Sequence, residues 1–264
     1  MQRRTRLVGT LALVGALFTA ATTSTADAAK NKAPKLSGTI TVSAAASLTE
    51  AFTTLGRHFE KKNKGTTISF NFAASSALVA QIQGGAPGDV FASADGANMQ
   101  KLVAGGQVTS DPSDFAANLL TIVVKKGNPE KVRSIADLAK IGVISLCAGT
   151  VPCGKYAAQA LSSAGVTIPT DKITRGQDVK ATLTAASAGD ADAAIVYVSD
   201  AKSAGSAVQA VKIPASLNVI AVYPIAPLAS SGNADLARAF VDYVVSSAGQ
   251  KTLRKFGFLP PPAQ

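Results

Sequence analysis

Along the chain, the spacing of hydrophobic residues switches repeatedly between the period typical of strands and the period typical of helices. β-Branched and aromatic residues fill segments 38–43 and 67–72, which is typical of strands in a partly buried sheet. Apolar residues recur at helical intervals between Leu48 and Phe59, which predicts a helix with one buried face. This alternation predicts an α/β fold in which helices flank each sheet.

The same alternation continues through the rest of the chain. Further strands are predicted at 89–92, 118–125, 144–146, 193–197 and 219–228. Further helices are predicted at 97–104, 135–140, 155–163, 179–186, 233–246 and 249–255. Glycine and proline residues separate many of these segments, as is usual at the ends of strands and helices.

Two strong strands, within 119–124 and 219–228, bracket the middle third of the chain. If both cross between two lobes, the ends of the chain build one lobe and the centre builds the other. We therefore assign residues 38–118 and 222–259 to lobe I and residues 119–221 to lobe II. Such a crossing leaves a cleft between the lobes, where ligands tend to bind in α/β folds. Residues 29–37 are assigned to a flexible lead-in and 260–264 to a tail.

The first 28 residues carry the pattern of a signal peptide. Basic residues at positions 3, 4 and 6 precede an apolar run at 7–21, and Ala26-Asp27-Ala28 supplies a small-x-small site. This pattern predicts export and cleavage after Ala28. An uncleaved membrane anchor is the alternative, but the apolar run is short for a span. Because no cysteine lies near the cleavage site, we expect a periplasmic or secreted protein without a lipid anchor.

The chain has a formal net charge of +10. Much of this charge comes from scattered lysines without interleaved aromatic residues, which predicts a solvated basic surface that helps to attract anions. The pattern does not favour nucleic-acid binding.

Cys147 and Cys153 are the two cysteines of the chain. In an oxidising compartment, an even pair at this short spacing predicts a local disulfide. A two-thiolate zinc site would need further ligands, and His58 is the single histidine of the chain.

Polar residues stand at several predicted turns from a strand into a helix. Four such turns contain Ser47, Ser75, Cys153 and Val179, and Tyr197 ends a strand. The first amides of a helix lack partners within it and lie at the positive end of its dipole, so each turn offers donors to an anion. The alternative at each site is that a Ser or Asp merely caps its helix.

Ser47 and Glu50 have the spacing of a capping box. The Ser47 oxygen would then accept from the Glu50 amide while its proton stays available for a ligand. A site that holds donors and no acceptor would reject an anion that carries its own proton, such as hydrogen phosphate, because that proton would stay unpaired.

Four segments, 41–49, 72–78, 85–95 and 195–201, closely resemble the periplasmic molybdate-binding proteins of ABC importers. The resemblance extends over most of residues 38–258. It implies a two-lobe periplasmic-binding-protein fold of type II with a two-strand hinge, which closes over molybdate or tungstate. It also implies a monomer that needs no cofactor besides its ligand and that delivers this ligand to a permease and an ATPase on separate chains.

The resemblance assigns ligand-binding roles to five residues. Ser47 and Ser75 would each supply a hydroxyl and an amide, Cys153 and Val179 their backbone amides, and Tyr197 its phenol. Cys153 departs from the family pattern, which often has alanine after the proline, but this position acts through its backbone. A Cys147–Cys153 bridge would then brace the loop that holds the Cys153 amide.

Two other functions are compatible with parts of the sequence. The nearer alternative is a receptor of the same fold for sulfate or another oxyanion, since selectivity among these ions depends mainly on cavity radius. The other is a hydrolase with a serine or cysteine nucleophile, which would need a base. His58 lies about three helical turns from Ser47, too far to activate it, so we expect a receptor and not an enzyme.

Overall fold

The computed structural model describes residues 35–262. The predicted signal peptide, residues 29–34 of the lead-in and the last two residues of the tail lie outside these described residues. No helix within 35–262 is long and apolar enough to cross a membrane.

Strands and helices alternate through the described part of the chain, as predicted. The strands are β1 Gly38–Ala45, β2 Thr66–Ala73, β3 Val90–Ala92, β4 Ser113–Lys125, β5 Ile144–Cys147, β6 Ile173–Gly176, β7 Ala193–Tyr197, β8 Val208–Lys212 and β9 Ile220–Pro227. The α-helices are α1 Thr49–Lys62, α2 Ser75–Gln83, α3 Gly96–Ala104, α4 Pro152–Ser163, α5 Val179–Ala188, α6 Val198–Ala204, α7 Ala234–Val245 and α8 Ser247–Lys255. Short 3-10 helices lie at Ala46–Leu48, Ile135–Ala139, Thr170–Lys172 and Gly205–Ala207.

The strands form a mixed sheet that continues through the long strand β4. The strand order is β2-β1-β3-β9-β4-β7-β5-β6, and β8 also pairs with β4. Strands β1, β2 and β3 are parallel to one another, as are β5, β6 and β7. Strand β9 runs antiparallel to both β3 and β4. This arrangement confirms the predicted α/β fold with helices flanking the sheet.

The chain passes between the two parallel groups of strands at two places. Within β4, residues 113–119 pair with β9 and residues 120–124 pair with β7. Segment 213–219 leads back from β8 to β9. The Asn218 side chain accepts from the Leu120 amide at 3.0 Å and donates to the Leu120 carbonyl at 2.8 Å, which ties the two crossings together. The division into lobe I and lobe II stays our interpretation of this arrangement.

Two strands, β6 and β8, were missed by the sequence analysis. Each is four or five residues long and mostly exposed or half-buried. A strand with so few buried positions leaves only a weak hydrophobic pattern in the sequence. Strand β4 also begins earlier than predicted, because its first residues, Ser113 and Asp114, are polar and exposed.

The hydrophobic core covers both faces of the first group of strands. On one face, aromatic contacts join α1, β4 and α7: the rings of Phe52 and Phe115 are tilted with centres 5.6 Å apart, and those of Phe59 and Phe240 meet edge to face at 5.5 Å. A smaller cluster on α2, α3, β3 and β9 includes Leu78, Met99 and Phe91. Burial on both faces fixes these strands, and therefore fixes the turns that follow them.

Candidate functional site

A small cavity lies at the ends of the parallel strands. Its lining comes from separate stretches of the chain and consists of Ala45, Ala46, Ser47, Ala74, Ser75, Ala94, Val151, Pro152, Cys153, Asp178, Val179 and Tyr197. All five residues predicted as ligand-binding are therefore brought together. The cavity volume of about 20 Å³ is only slightly more than the roughly 10–15 Å³ that one buried water needs. The space suits a compact ligand.

The convergence follows from the sheet topology. Strands β1 and β2 are parallel and in register, with Ala45 opposite Ala73, so the turns at Ser47 and Ser75 leave the same edge. Strands β5, β6 and β7 are also parallel, so the segments after them, at 151–153 and 178–179, and the strand end at Tyr197 lie together. Carboxyl ends of parallel strands are the usual place for a ligand in α/β folds.

The first residues of helices α2, α4 and α5 line this cavity. Helices α2 and α4 have no side-chain cap, and Pro152 has no N–H, so Cys153 carries the first amide of α4. On α5, the Asp178 carboxylate accepts from the Lys180 and Ala181 amides at 2.9 Å each. This capping leaves the Val179 amide, which belongs to the first turn and has no partner within the helix.

The predicted capping box at Ser47 is wrong. Ser47 lies in the 3-10 helix Ala46–Leu48, and α1 begins at Thr49 without a side-chain cap. The Ser47 hydroxyl oxygen instead lies 3.0 Å from the phenol oxygen of Tyr223 on β9. When Tyr223 donates in this buried contact, the Ser47 proton remains available to the cavity. Sequence reasoning missed Tyr223, because nothing in its apolar strand marks a polar partner.

Ser75 has a similar arrangement on α2. Its hydroxyl oxygen accepts a hydrogen bond from the Ala94 amide at 2.9 Å. The oxygen is thereby engaged, and the Ser75 proton is free to be donated to an acceptor in the cavity. Ala94 follows β3, so the short strand and its turn orient the serine.

Tyr197 has a buried phenol at the cavity. Its side chain is 1% exposed, and its hydroxyl oxygen has no hydrogen-bond partner among the described residues. Burial, with neighbouring phenols and carboxylates as lesser causes, raises the pKa of Tyr197 well above its usual value, so the group stays a donor. A buried unpaired polar group costs about 1–3 kcal/mol, which points to an acceptor supplied by a ligand.

Residues 40–259 match the family described as bacterial extracellular solute-binding proteins. The chain belongs to this family. It is 40% identical over 223 residues to the molybdate-binding protein ModA of Mycobacterium tuberculosis, a match that covers 84% of this chain and 85% of that protein.

Two solved structures share the fold at lower identity. The periplasmic molybdate-binding protein of Azotobacter vinelandii superposes with a TM-score of 0.75 at 20% identity, over 84% of this chain and 100% of that one. The sulfate-binding protein SubI of Mycobacterium tuberculosis also superposes with a TM-score of 0.75, at 22% identity, over 84% of this chain and 86% of that one. At such identities the likeness shows the fold of this solute-binding protein and not its ligand.

The segment from Cys147 to Cys153, here called the cysteine loop, supports one wall of the cavity in this solute-binding protein. Cys147 at the end of β5 and Cys153 on α4 are joined in disulfide geometry, with Cα atoms 5.8 Å apart. The Arg175 guanidinium donates to the Cys147 carbonyl at 2.9 Å, and the Ala148 amide donates to the Gly176 carbonyl at 2.8 Å. These contacts fix the start of α4 against strands β5 and β6.

Outside the cavity, His58 is exposed on α1. Lys172 donates to the Ile141 carbonyl at 3.0 Å. Like Arg175, it is engaged by backbone and does not line the cavity.

We expect the cysteine loop to be sensitive to volume at Gly154. A Cβ at this position would collide with the Ala148 carbonyl and lie 2.9 Å from the Cys147 carbonyl. Gly154→Ala should therefore lower the free energy of unfolding by about 1–3 kcal/mol, measured by thermal unfolding. Gly149→Ala in the same loop is the matched control, since its Cβ would meet open space. Equal unfolding midpoints for the two variants would contradict this account of the loop.

Proposed function

We propose that the protein is an extracytoplasmic receptor that binds molybdate or tungstate and delivers it to an ABC importer. The observation that carries this proposal is the buried Tyr197 phenol, which has no partner among the described residues and lines a cavity with four other predicted donors. The 40% identity to a molybdate-binding protein over most of both chains supports the same ligand.

The donor set matches a small, fully deprotonated oxyanion. Hydroxyl donors come from Ser47, Ser75 and Tyr197, and amide donors come from Cys153 and Val179. The two serine oxygens are engaged by the Tyr223 phenol and the Ala94 amide, so they are poor acceptors for a ligand proton. The Asp178 carboxylate at the cavity caps its own helix. Hydrogen phosphate would therefore bury an unpaired proton, at a cost of about 1–3 kcal/mol.

A sulfate receptor is the alternative that the fold itself allows. The SubI structure shares this fold, and sulfate is also a tetrahedral dianion that needs only donors. Because the two anions differ mainly in radius, the discrimination would come from the spacing of the donors around the cavity. The match to the molybdate-binding relative favours the larger anion.

A hydrolase is disfavoured by the surroundings of the candidate nucleophiles. The Ser47 hydroxyl contacts a phenol, the Ser75 hydroxyl contacts an amide, and Cys153 is placed in a disulfide. None of these partners is a general base of the kind that activates a nucleophile. We propose that the protein does not catalyse a reaction, and we expect no turnover of ester or peptide substrates.

The remaining parts of the proposal concern delivery. The signal peptide would be removed after Ala28, and the mature chain would act as a periplasmic or secreted monomer without a cofactor of its own. Closure of two lobes around the anion would give the permease a shape that differs from the empty receptor. The permease and its ATPase would be separate chains.

Calorimetric titration with molybdate, tungstate, sulfate and phosphate tests the proposed ligand. We expect tight binding of molybdate and tungstate and little binding of sulfate and phosphate, because the cavity selects by radius and protonation state. Preferential binding of sulfate would overturn the assignment in favour of the alternative.

Removal of the Tyr197 hydroxyl tests the observation on which the proposal rests. A hydrogen bond to a charged group contributes about 1.5–3 kcal/mol, so Tyr197→Phe should weaken molybdate binding about tenfold or more. Tyr243→Phe is the matched control, since Tyr243 is half-buried on α7 and does not line the cavity. The same affinity in both variants would remove Tyr197 from the ligand set.

The disulfide can be tested through the affinity of the site. The bridge restrains the loop that presents the Cys153 amide, so replacing both cysteines by alanine should weaken molybdate binding severalfold by loosening this donor. Titrations of the folded double variant, and of the wild type with and without a reductant, check this expectation. If the affinity stays unchanged in both experiments, the bridge has no bracing role.

A further inference from the structure

Three charged side chains lie just behind three of the ligand-binding turns. Glu50 follows the Ser47 turn on α1, Lys180 follows Val179 on α5, and Asp200 follows Tyr197 on α6. The Lys180 ammonium donates to the two Glu50 carboxylate oxygens at 2.9 and 2.8 Å. It also lies 3.0 Å from an Asp200 oxygen, in a contact that lacks hydrogen-bond geometry.

This triad connects the two groups of strands. Helix α1 packs on β2 of the first group, whereas α5 packs on β5 and β7 of the second group. Helix α5 also contacts the 3-10 helix Ala46–Leu48, which carries Ser47. The contact between Lys180 and Glu50 therefore joins the two groups of strands, and it would be lost if the two sides moved apart.

The two carboxylates differ in their surroundings. The Asp200 side chain is fully buried, and the Glu50 and Lys180 side chains are 39% and 25% exposed. Burial raises the pKa of Asp200 to about 6, although the nearby Lys180 ammonium opposes this rise. Burial disfavours the charged form of Lys180, but the carboxylates of Asp200 and Glu50 outweigh it and the Lys180 pKa is raised. At neutral pH Lys180 is therefore protonated and Asp200 is mostly ionised.

We propose that Lys180 is a positioning residue that keeps the cleft closed over the bound oxyanion by bridging Glu50 and Asp200. The proposal rests on the function proposed above and adds a residue that does not line the cavity. Asp200 and Lys180 lie on the same side of the cleft, so their pair persists when the cleft opens. Glu50 lies on the other side and is the partner that separates on opening.

The bridge should act on ligand release more than on ligand capture. An ion pair that forms only on closure stabilises the closed state and slows opening, and it contributes nothing to the first encounter of the anion with the open cleft. Because Glu50 is partly exposed, its ion pair with Lys180 should contribute as much as a surface ion pair does. This corresponds to about a two- to fivefold change in the equilibrium constant for closure of the cleft. Changing Glu50 also avoids leaving the buried Asp200 charge without a cation.

The decisive experiment measures association and dissociation rates of molybdate in Glu50→Gln. The chain has 4 tyrosines and no tryptophan, and two of the tyrosines contact the site, so stopped-flow tyrosine fluorescence reports binding directly. We expect dissociation about two- to fivefold faster than in the wild type, with an unchanged association rate and unchanged thermal stability of the free protein. Glu50→Lys, which places two ammonium groups together, should release the anion faster still.

Asp235→Asn is the matched control, because it also removes one carboxylate from an ion pair. Asp235 pairs with Arg238 within α7 at 2.6 Å, and its side chain is far more exposed than that of Glu50. The Asp235→Asn variant should release molybdate at the wild-type rate. Higher salt should speed release from the wild type and not from Glu50→Gln, since it screens a partly exposed pair. If both Glu50 variants release molybdate at the wild-type rate, the proposed role of the bridge is overturned and the proposed function is not. If the wild type binds no molybdate, the proposed function is overturned as well.

Discussion

The arrangement of the molecule depends on how the first amides of its helices are satisfied. Every helix begins with amides that have no partner inside it, and α2 and α4 begin at one edge of the strands without a side-chain cap. Such amides cannot be gathered in a dry place unless something supplies acceptors, because each unpaired group costs about 1–3 kcal/mol. A tetrahedral oxyanion supplies acceptors in several directions at once. The convergence of the parallel strand ends therefore gathers these unpaired amides and also forms the cavity that an oxyanion could occupy.

A second set of groups decides what the hydroxyls in the cavity do. A hydroxyl has one proton to donate, and its direction depends on what occupies the oxygen. Tyr223 lies behind Ser47 and the Ala94 amide lies behind Ser75, so the Ser75 proton, and the Ser47 proton when Tyr223 donates, can be directed into the cavity. The chemical character of the site is therefore set partly by residues that do not touch the ligand. Under the proposed function, discrimination against a protonated anion would follow from this orientation, and the residue types at the cavity surface would not reveal it alone.

The sequence predicted the fold class and the five converging residues, because turns from strand to helix leave local signals in composition. It could not predict Tyr223, which is 176 positions from Ser47 and lies in an apolar strand. The expected capping box failed for a related reason: the spacing of Ser47 and Glu50 fits a local pair, but Tyr223 and Lys180 engage the two side chains instead. Strands β6 and β8 escaped because few of their side chains are buried. Local sequence patterns thus predict side-chain contacts here except where a residue far away in the sequence offers a competing partner.

The distribution of charge separates three properties of a receptor. Apart from Asp178, which caps its own helix, the residues that line the cavity are uncharged, so binding there should depend on the spacing of hydroxyls and amides and on the protonation state of the anion. Lys180 pairs with Glu50 and Asp200 behind the cavity, where we propose that these charges act on the closed state and do not attract anions to the site. The net positive charge of the chain acts at longer range and should raise the rate at which anions arrive. In this proposal, selectivity, retention and capture depend on different groups of residues, so a substitution in one group should leave the other two properties largely unchanged.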